Sequence, residues 1–316
     1  MQNNKTKIRQ NSIRIREKYD KSEEFWCFVL LALPIIGFLL FQLYPILWTF
    51  KWSFFSYTGI KSQTYFIGLE NFKTMFTTDL RYWETWGNTL LFTLLKIPIE
   101  MVLAMLLALA LNREMRGSRM FQAIYFLPSV ISIVIIGLIL TNIFSYNGVI
   151  NTFLKQLGII NKSIDWFATK KTAVTMIIAG TVWNSFGINV MYLLSSLANV
   201  PQELYESGML DGATGFKKFW YITLPLIAPM FQVVLLLSLV GTLSLNEYII
   251  VLTNGGPSGQ TNTVMSYLYT KFVPGFAETS VMQLGYGCAM SLVTTVIFII
   301  VSVMYNKISK KMKEIY

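Results

Sequence analysis

An all-α polytopic membrane protein of about six transmembrane helices is the fold class this sequence predicts, and three observations predict it. Of 316 residues, 54% are hydrophobic and only 13% charged, against about 25% charged in soluble domains. Mean hydropathy is +0.52. The apolar residues gather into six long runs, and about 20 residues suffice to cross a bilayer as a helix. Phe, Tyr and Trp supply 15% of the chain, which fits interfacial belts and lipid-facing surface.

In chain order, residues 1–24 form a basic tail with seven Lys and Arg, suited to anionic lipid. The run at 25–49 exceeds a signal-peptide core and lacks a small-residue cleavage site, so it reads as an uncleaved first span. Residues 50–84 are mixed and aromatic. The second span, 87–111, carries Lys96 and Glu100, four apart on one helix face. Ionisable groups there must pair or face water, and a structural pair is favoured over substrate contact. A loop with Arg113, Arg116 and Arg119 precedes the third span, 120–143, where Pro128 is a kink candidate. An outer loop follows, then the fourth span, 172–198. The loop at 200–225 leads to the fifth span, 225–252. The sixth, 283–305, precedes a basic tail at 307–316.

Six spans put both termini on one side. That side then holds sixteen Lys and Arg and the other side eight. The positive-inside rule places the termini and the 200–225 loop in the cytoplasm. The net charge of +10 thus needs no nucleic acid.

The loop from Val200 to Pro225 is not composed like slack chain. Pro201 suits a first helical turn. Gln202 to Leu210 contains no breaker except Gly208, and Asp211-Gly212 ends the run, since Gly accepts the left-handed closing conformation. The expected product is a short helix outside the membrane over 201–212, then a sharp turn and a second short segment at 216–221.

This loop resembles the EAA loop of inner-membrane permease subunits of binding-protein-dependent ABC importers, of the maltose type that takes up carbohydrate. The family pattern is E-A-A, three residues, G, nine residues, I-x-L-P. Here it reads Glu206-Ser207-Gly208, Gly212, then Ile222-Thr223-Leu224-Pro225. Ser-Gly replaces Ala-Ala, and Gly208 weakens the helix by roughly 1 kcal/mol relative to Ala. Two further elements resemble the sugar permeases: FIGLENF at 66–72, and Leu252, Thr253, Gly255, Gly256, Pro257 and Thr261 after the fifth span.

The resemblance implies a bacterial cytoplasmic-membrane protein, with residues 25–306 as an ABC importer transmembrane domain. Its expected partners are a second, related permease subunit, two ATPase subunits and an extracytoplasmic solute-binding protein. The ATPases would grip a coupling helix through Glu203, Glu206, Ser207, Gly208, Asp211, Gly212, Ile222, Leu224 and Pro225. Glu206 is expected to pair with a basic group there. Spans four and five would line the solute path. Thr181, Asn184, Ser185 and Ile188 match family positions without a gap. Trp183 and Asn189 are added on the same span, and Ser244, Asn246, Glu247 and Tyr248 on the fifth. Amides and carboxylates suit a polyhydroxylated ligand, and Trp183 or Tyr248 can stack on a sugar ring. Such residues also serve as interhelical glue.

Several chemistries are absent from the sequence. No G-x-x-x-x-G-K-[ST] occurs, so ATP and Mg are expected on partner subunits and not on this chain. There is no His, and the two Cys are distant, which leaves no zinc pattern. No catalytic constellation supports a membrane enzyme. The expected solute is an oligosaccharide or multiple-sugar ligand. Glycerol phosphate or another small polar solute is the alternative, disfavoured because spans four and five offer no basic group. A stand-alone secondary transporter is the alternative from another class, but no paired repeat is evident.

Overall fold

The computed structural model describes residues 23, 25–112, 117–273 and 282–313. Most of the amino-terminal tail, Arg113, Arg116, Pro274 and the last three residues lie outside these. Five helices are long and apolar enough to cross a membrane, or six if one bent pair is counted as a single span.

Helix α1, Phe25–Trp52, runs three residues past the expected end. It contains a π turn at Leu39–Leu43, where Tyr44 N–H bonds the Leu39 carbonyl. The next residue is Pro45, which has no N–H for the carbonyl four back, and the widened turn relieves that clash. The apolar stretch of α1 buries nothing within the chain. Phe28, Leu33 and Phe41 stand out from it, so lipid or another subunit must cover that face.

The aromatic segment after α1 folds back on itself. Strands β1, Phe55–Ser56, and β2, Tyr65–Phe66, pair antiparallel. Asn71 of the FIGLENF stretch donates to the Ser53 carbonyl at 2.8 Å and the Phe55 carbonyl at 3.1 Å. That element is therefore a staple, with its Asn at the start of α2, Glu70–Thr77. Helix α3, Leu80–Leu111, starts seven residues before the expected second span. Asp79 caps it, accepting from Tyr82 N–H at 3.1 Å. Tyr82 and Trp83, within the aromatic stretch at 50–84, thus belong to the helix.

The expected third span is not one helix. It divides into α4, Ser118–Val130, and α5, Ile133–Ile143, bent by 97°. The break falls at Ile131-Ser132, and Pro128 remains inside α4. Partners on α7, Lys170–Ala198, satisfy the end of α4. Asn184 Nδ2 donates to the Pro128 carbonyl at 2.7 Å, and Ser129 Oγ to the Asn184 carbonyl at 2.7 Å. A short helix α6, Val149–Gln156, occupies the outer loop.

Helix α8, Gln202–Leu210, is the short helix expected in the loop. The fifth span is displaced from its expected bounds. It begins as α9 at Gly215, passes through a π turn at Phe219–Thr223 ahead of Pro225, and ends at Leu243. The proline again follows directly on the widened turn. A break at Ser244–Asn246 precedes α10, Glu247–Leu252. The Gly-Gly-Pro segment then leads to α11, Val264–Phe272, and α12, Leu284–Lys313, extends the expected sixth span through Lys307 and Lys310.

Helices α3 and α7 pack along each other, and α9 closes the groove between them. Met101, Met105, Val190, Leu193, Ile227 and Val234 form that core. A second cluster joins α5, α7 and α10 around Ile136, Ile177 and Ile249. Gly187 permits the close crossing of α7 and α4, since a Cβ there would overlap the Tyr125 carbonyl.

Candidate functional site

The break in the fifth span creates a cavity of about 270 Å³. A helix interrupted at Ser244–Asn246 turns three consecutive residues towards it. Thr181, Asn184 and Ser185 face it from α7, and Ser244, Asn246, Glu247 and Tyr248 from the break and α10. Seven of the ten expected path residues therefore meet at one place. Thr181 Oγ1 and Ser185 Oγ donate to carbonyls one turn back on their own helix, at 3.0 and 2.7 Å. Their remaining lone pairs are acceptors for a solute. The buried Tyr248 hydroxyl has no partner among the described residues.

Three expected path residues lie elsewhere. Trp183 is two positions from both Thr181 and Ser185, so it points to the opposite side of the helix and is 39% exposed. Ile188 shares the helix face of Asn184, one turn further on, but lies beyond the cavity lining and is 37% exposed. Asn189 is buried and committed to structure: its Nδ2 donates to Glu100 Oε1 at 2.8 Å and Ser238 Oγ at 3.1 Å.

Those bonds belong to a polar network that ties three spans. Lys96 Nζ donates to Glu100 Oε2 at 2.7 Å and to Thr242 Oγ1 at 3.3 Å. Both charged side chains are nearly inaccessible. The Lys96–Glu100 pair expected from spacing is present, but it does more than brace one helix. Lys96 also lines the cavity, together with Ile133 and Gly241. A basic group is thus available after all, from span two, and the argument against an anionic solute drawn from spans four and five alone is corrected. Its rarity inside an apolar run was the signal that could have placed it.

The second site is the projecting end. No residue of α8 is buried. Glu203, Glu206, Ser207 and Asp211 are exposed, and Leu210 is 90% exposed. The inner face of α8 is pinned to the start of the fifth span. Gly208 packs against Ile222, and a Cβ there would need only the Cδ1 end of Ile222 to turn aside. Tyr205 OH meets Thr223 Oγ1 at 3.3 Å, and Lys218 Nζ lies 4.2 Å from the Tyr205 ring. Ala213 N–H bonds the Gly208 carbonyl at 2.8 Å, and Gly212 takes φ +79°, which closes the helix. Leu224 and Pro225 lie in the helical run beyond. Phe216, Trp220 and Tyr221 add an exposed aromatic surface beside α8.

Among the described residues, no group of three or more Cys, Asp or Glu is placed to hold a metal.

The model of the family "Binding-protein-dependent transport system inner membrane component" matches residues 100–314. The chain is 31% identical over 264 residues to the lactose transport system permease protein LacF of Rhizobium radiobacter, covering 82% of this chain and 87% of that one. It is 31% identical over 288 residues to the multiple sugar-binding transport system permease protein MsmF of Streptococcus mutans, covering 91% and 96%. Among solved structures, it is similar to a chain of a bacterial ABC transporter involved in the import of the acidic polysaccharide alginate. That match has a TM-score of 0.80 at 25% identity, over 94% of this chain and 99% of that one.

Proposed function

The chain belongs to the family of binding-protein-dependent transport system inner membrane components, and on that premise we propose how it carries solute. It is a multi-pass membrane permease of the sugar-importing ABC class, and its family works with a solute-binding protein. We read the chain as non-catalytic. Two separate ATPase subunits bind ATP and Mg, a second permease subunit completes the pore, and the termini and α8 face the cytoplasm.

One observation carries this reading. A single helical run, Gly215–Leu243, has α8 pinned to one end and the cavity residues Ser244–Tyr248 at the other. A push on α8 therefore reaches the solute cavity through one stiff element, without passing through slack chain. Glu203, Glu206, Ser207 and Asp211 form the gripped surface, while Gly208, Gly212, Ile222, Leu224 and Pro225 set its angle. Closure of the ATPases on ATP biases the cavity between its two faces, a two-state change of the hinge or rocking kind.

In the cavity, Thr181, Asn184, Ser185, Asn246, Glu247 and Tyr248 offer donors and acceptors for sugar hydroxyls. Lys96 does not make this an anion path by itself, because Glu100 matches its charge.

The test is Glu206→Arg in the assembled transporter, reconstituted in liposomes. The expected result is continued ATP hydrolysis with uptake lost. Unchanged uptake would refute the coupling role.

A further inference from the structure

A larger chamber, about 680 Å³, lies at the other end of the bundle from α8. The start of α3, the Gly-Gly-Pro segment and α11 enclose it. Its volume falls in the range of small-molecule sites, roughly 300–1,000 Å³. The walls are preformed. Asn88 Nδ2 donates to the Gln260 and Asn262 carbonyls, both at 2.9 Å. Thr253 and Thr261 hydroxyls meet at 2.9 Å, and Val264 N–H donates to Thr89 Oγ1 at 3.0 Å. Thr263 Oγ1 donates to the Leu245 carbonyl, which fastens the segment to the break in the fifth span.

The charge lining this chamber is unbalanced. Among the described residues, Arg81, Lys170 and Lys271 face it, against Glu84. Lys271 is 9% exposed. Its Nζ sits 4.8 Å from the Tyr267 ring and 5.6 Å from the Tyr286 ring. Among the described residues no carboxylate lies within ion-pair distance of it. Asp79 is taken up by Tyr267 and Tyr286 hydroxyls, at 3.1 and 2.7 Å, and by the cap of α3. Two ring faces thus steady the ammonium, while its three N–H donors stay unspent. The ammonium opens onto the chamber, so an entering anion can meet it without displacing a protein partner.

We propose that this chamber binds the carboxylate of an anionic, uronic-acid-type saccharide on its way to the smaller cavity. Lys271 holds the acid group from within and Arg81 clamps it at the mouth, where a guanidinium matches a carboxylate with two parallel bonds. Asn254 and Gln260 meet the hydroxyls. The assignment rests on the chain being a saccharide permease and narrows the class of saccharide.

The experiment uses the assembled transporter in lipid nanodiscs without its solute-binding protein. Titration calorimetry compares a digalacturonate with the matching neutral digalactoside. The diuronate should bind, and the neutral sugar should bind about tenfold or more weakly. Lys271→Met should weaken diuronate binding by about tenfold or more, with Lys271→Arg restoring most of it. Arg81→Gln, at an exposed position, should weaken it by about two- to fivefold and tests the site even if Lys271→Met fails to assemble. Equal binding of the two sugars, or unchanged binding in these variants, overturns the proposal. So does diuronate binding that appears only with the solute-binding protein present, with Lys271→Met weakening that protein's docking instead. ATP-driven uptake of any saccharide, scored in parallel, separates the two failures: the permease reading fails only if no saccharide is carried.

Discussion

Breaking the Lys96–Glu100 pair from one side should cost far more than removing it whole. At 2.7 Å, and with an effective dielectric of about 20, the attraction is roughly 6 kcal/mol. Each ion loses several kcal/mol of hydration on burial, so the intact pair is close to neutral against apolar side chains. Lys96→Met strands a carboxylate that is 1% exposed and keeps only the Asn189 bond. Glu100→Leu strands an ammonium that keeps only Thr242, at 3.3 Å. Each single change should lose about 3–5 kcal/mol. The double variant should lose only about 1–2 kcal/mol, chiefly from Asn189 left with Ser238 as its single acceptor. Cys288 is fully buried and Cys27 exposed. In a Cys27→Ser background, a thiol-reactive dye therefore reports unfolding through Cys288. Each single variant should melt roughly 10 °C below the parent, and the double variant should recover most of that loss. A double variant as unstable as the summed singles would refute the reasoning, because the pair would then carry net stability.

Other perturbations have distinct expected outcomes. Gly187→Ala forces α7 away from the Tyr125 carbonyl and should cost at least about 1–3 kcal/mol, read as a lower melting temperature. Asn88→Ala removes two bonds that hold the Gly-Gly-Pro segment. It should raise amide exchange across 254–262 by about tenfold or more, with α8, at the other end of the bundle, unaffected. Diuronate binding should depend on pH through Lys271, whose pKa is lowered chiefly by burial, with Arg81 adding and Asp79 opposing. Glu84 and Lys170 also face it across the chamber, and Tyr267 is pushed up and stays neutral. Binding should be full while Lys271 is charged and fade as pH rises through its lowered pKa, earlier than for an ordinary lysine. A flat profile for Lys271→Arg over the same range is the check.

Much of this architecture was legible in the sequence. Apolar run length marked where long helices lie, though the third run is two helices and the fifth begins ten residues early, and the loop pattern located α8, because those features are local. The two helix breaks were not. Ile131-Ser132 lies within apolar sequence, and what ends α4 is a pair of bonds from Asn184 and Ser129, partners 55 and 56 residues apart. Pro128 looked the better breaker, yet a helix tolerates it. In the fifth span, Ser244, Asn246 and Glu247 stood out as polar, but polarity alone cannot separate a lined helix from an interrupted one. Thr181, Asn184 and Ser185 were singled out by matching family positions, and their spacing of three and four puts them on one helix face at the cavity. The same spacing would have excluded Trp183, whose offset of two places it on the far side. Lys96 was flagged by its rarity inside an apolar run, whereas Lys271 reaches its chamber only through tertiary packing, which no local pattern announces.

Coupling of ATP to uptake depends on α8 being a cytosolic lever held by a nucleotide-driven partner. Glu206→Cys in a Cys27→Ser background, carrying a short bifunctional crosslinker, tests this in the assembled transporter. The expected product is a covalent adduct with an ATPase subunit, formed from the cytoplasmic side and changed in yield by ATP. Labelling of Glu206→Cys by an impermeant reagent from outside intact cells, or no adduct with any ATPase, would contradict it.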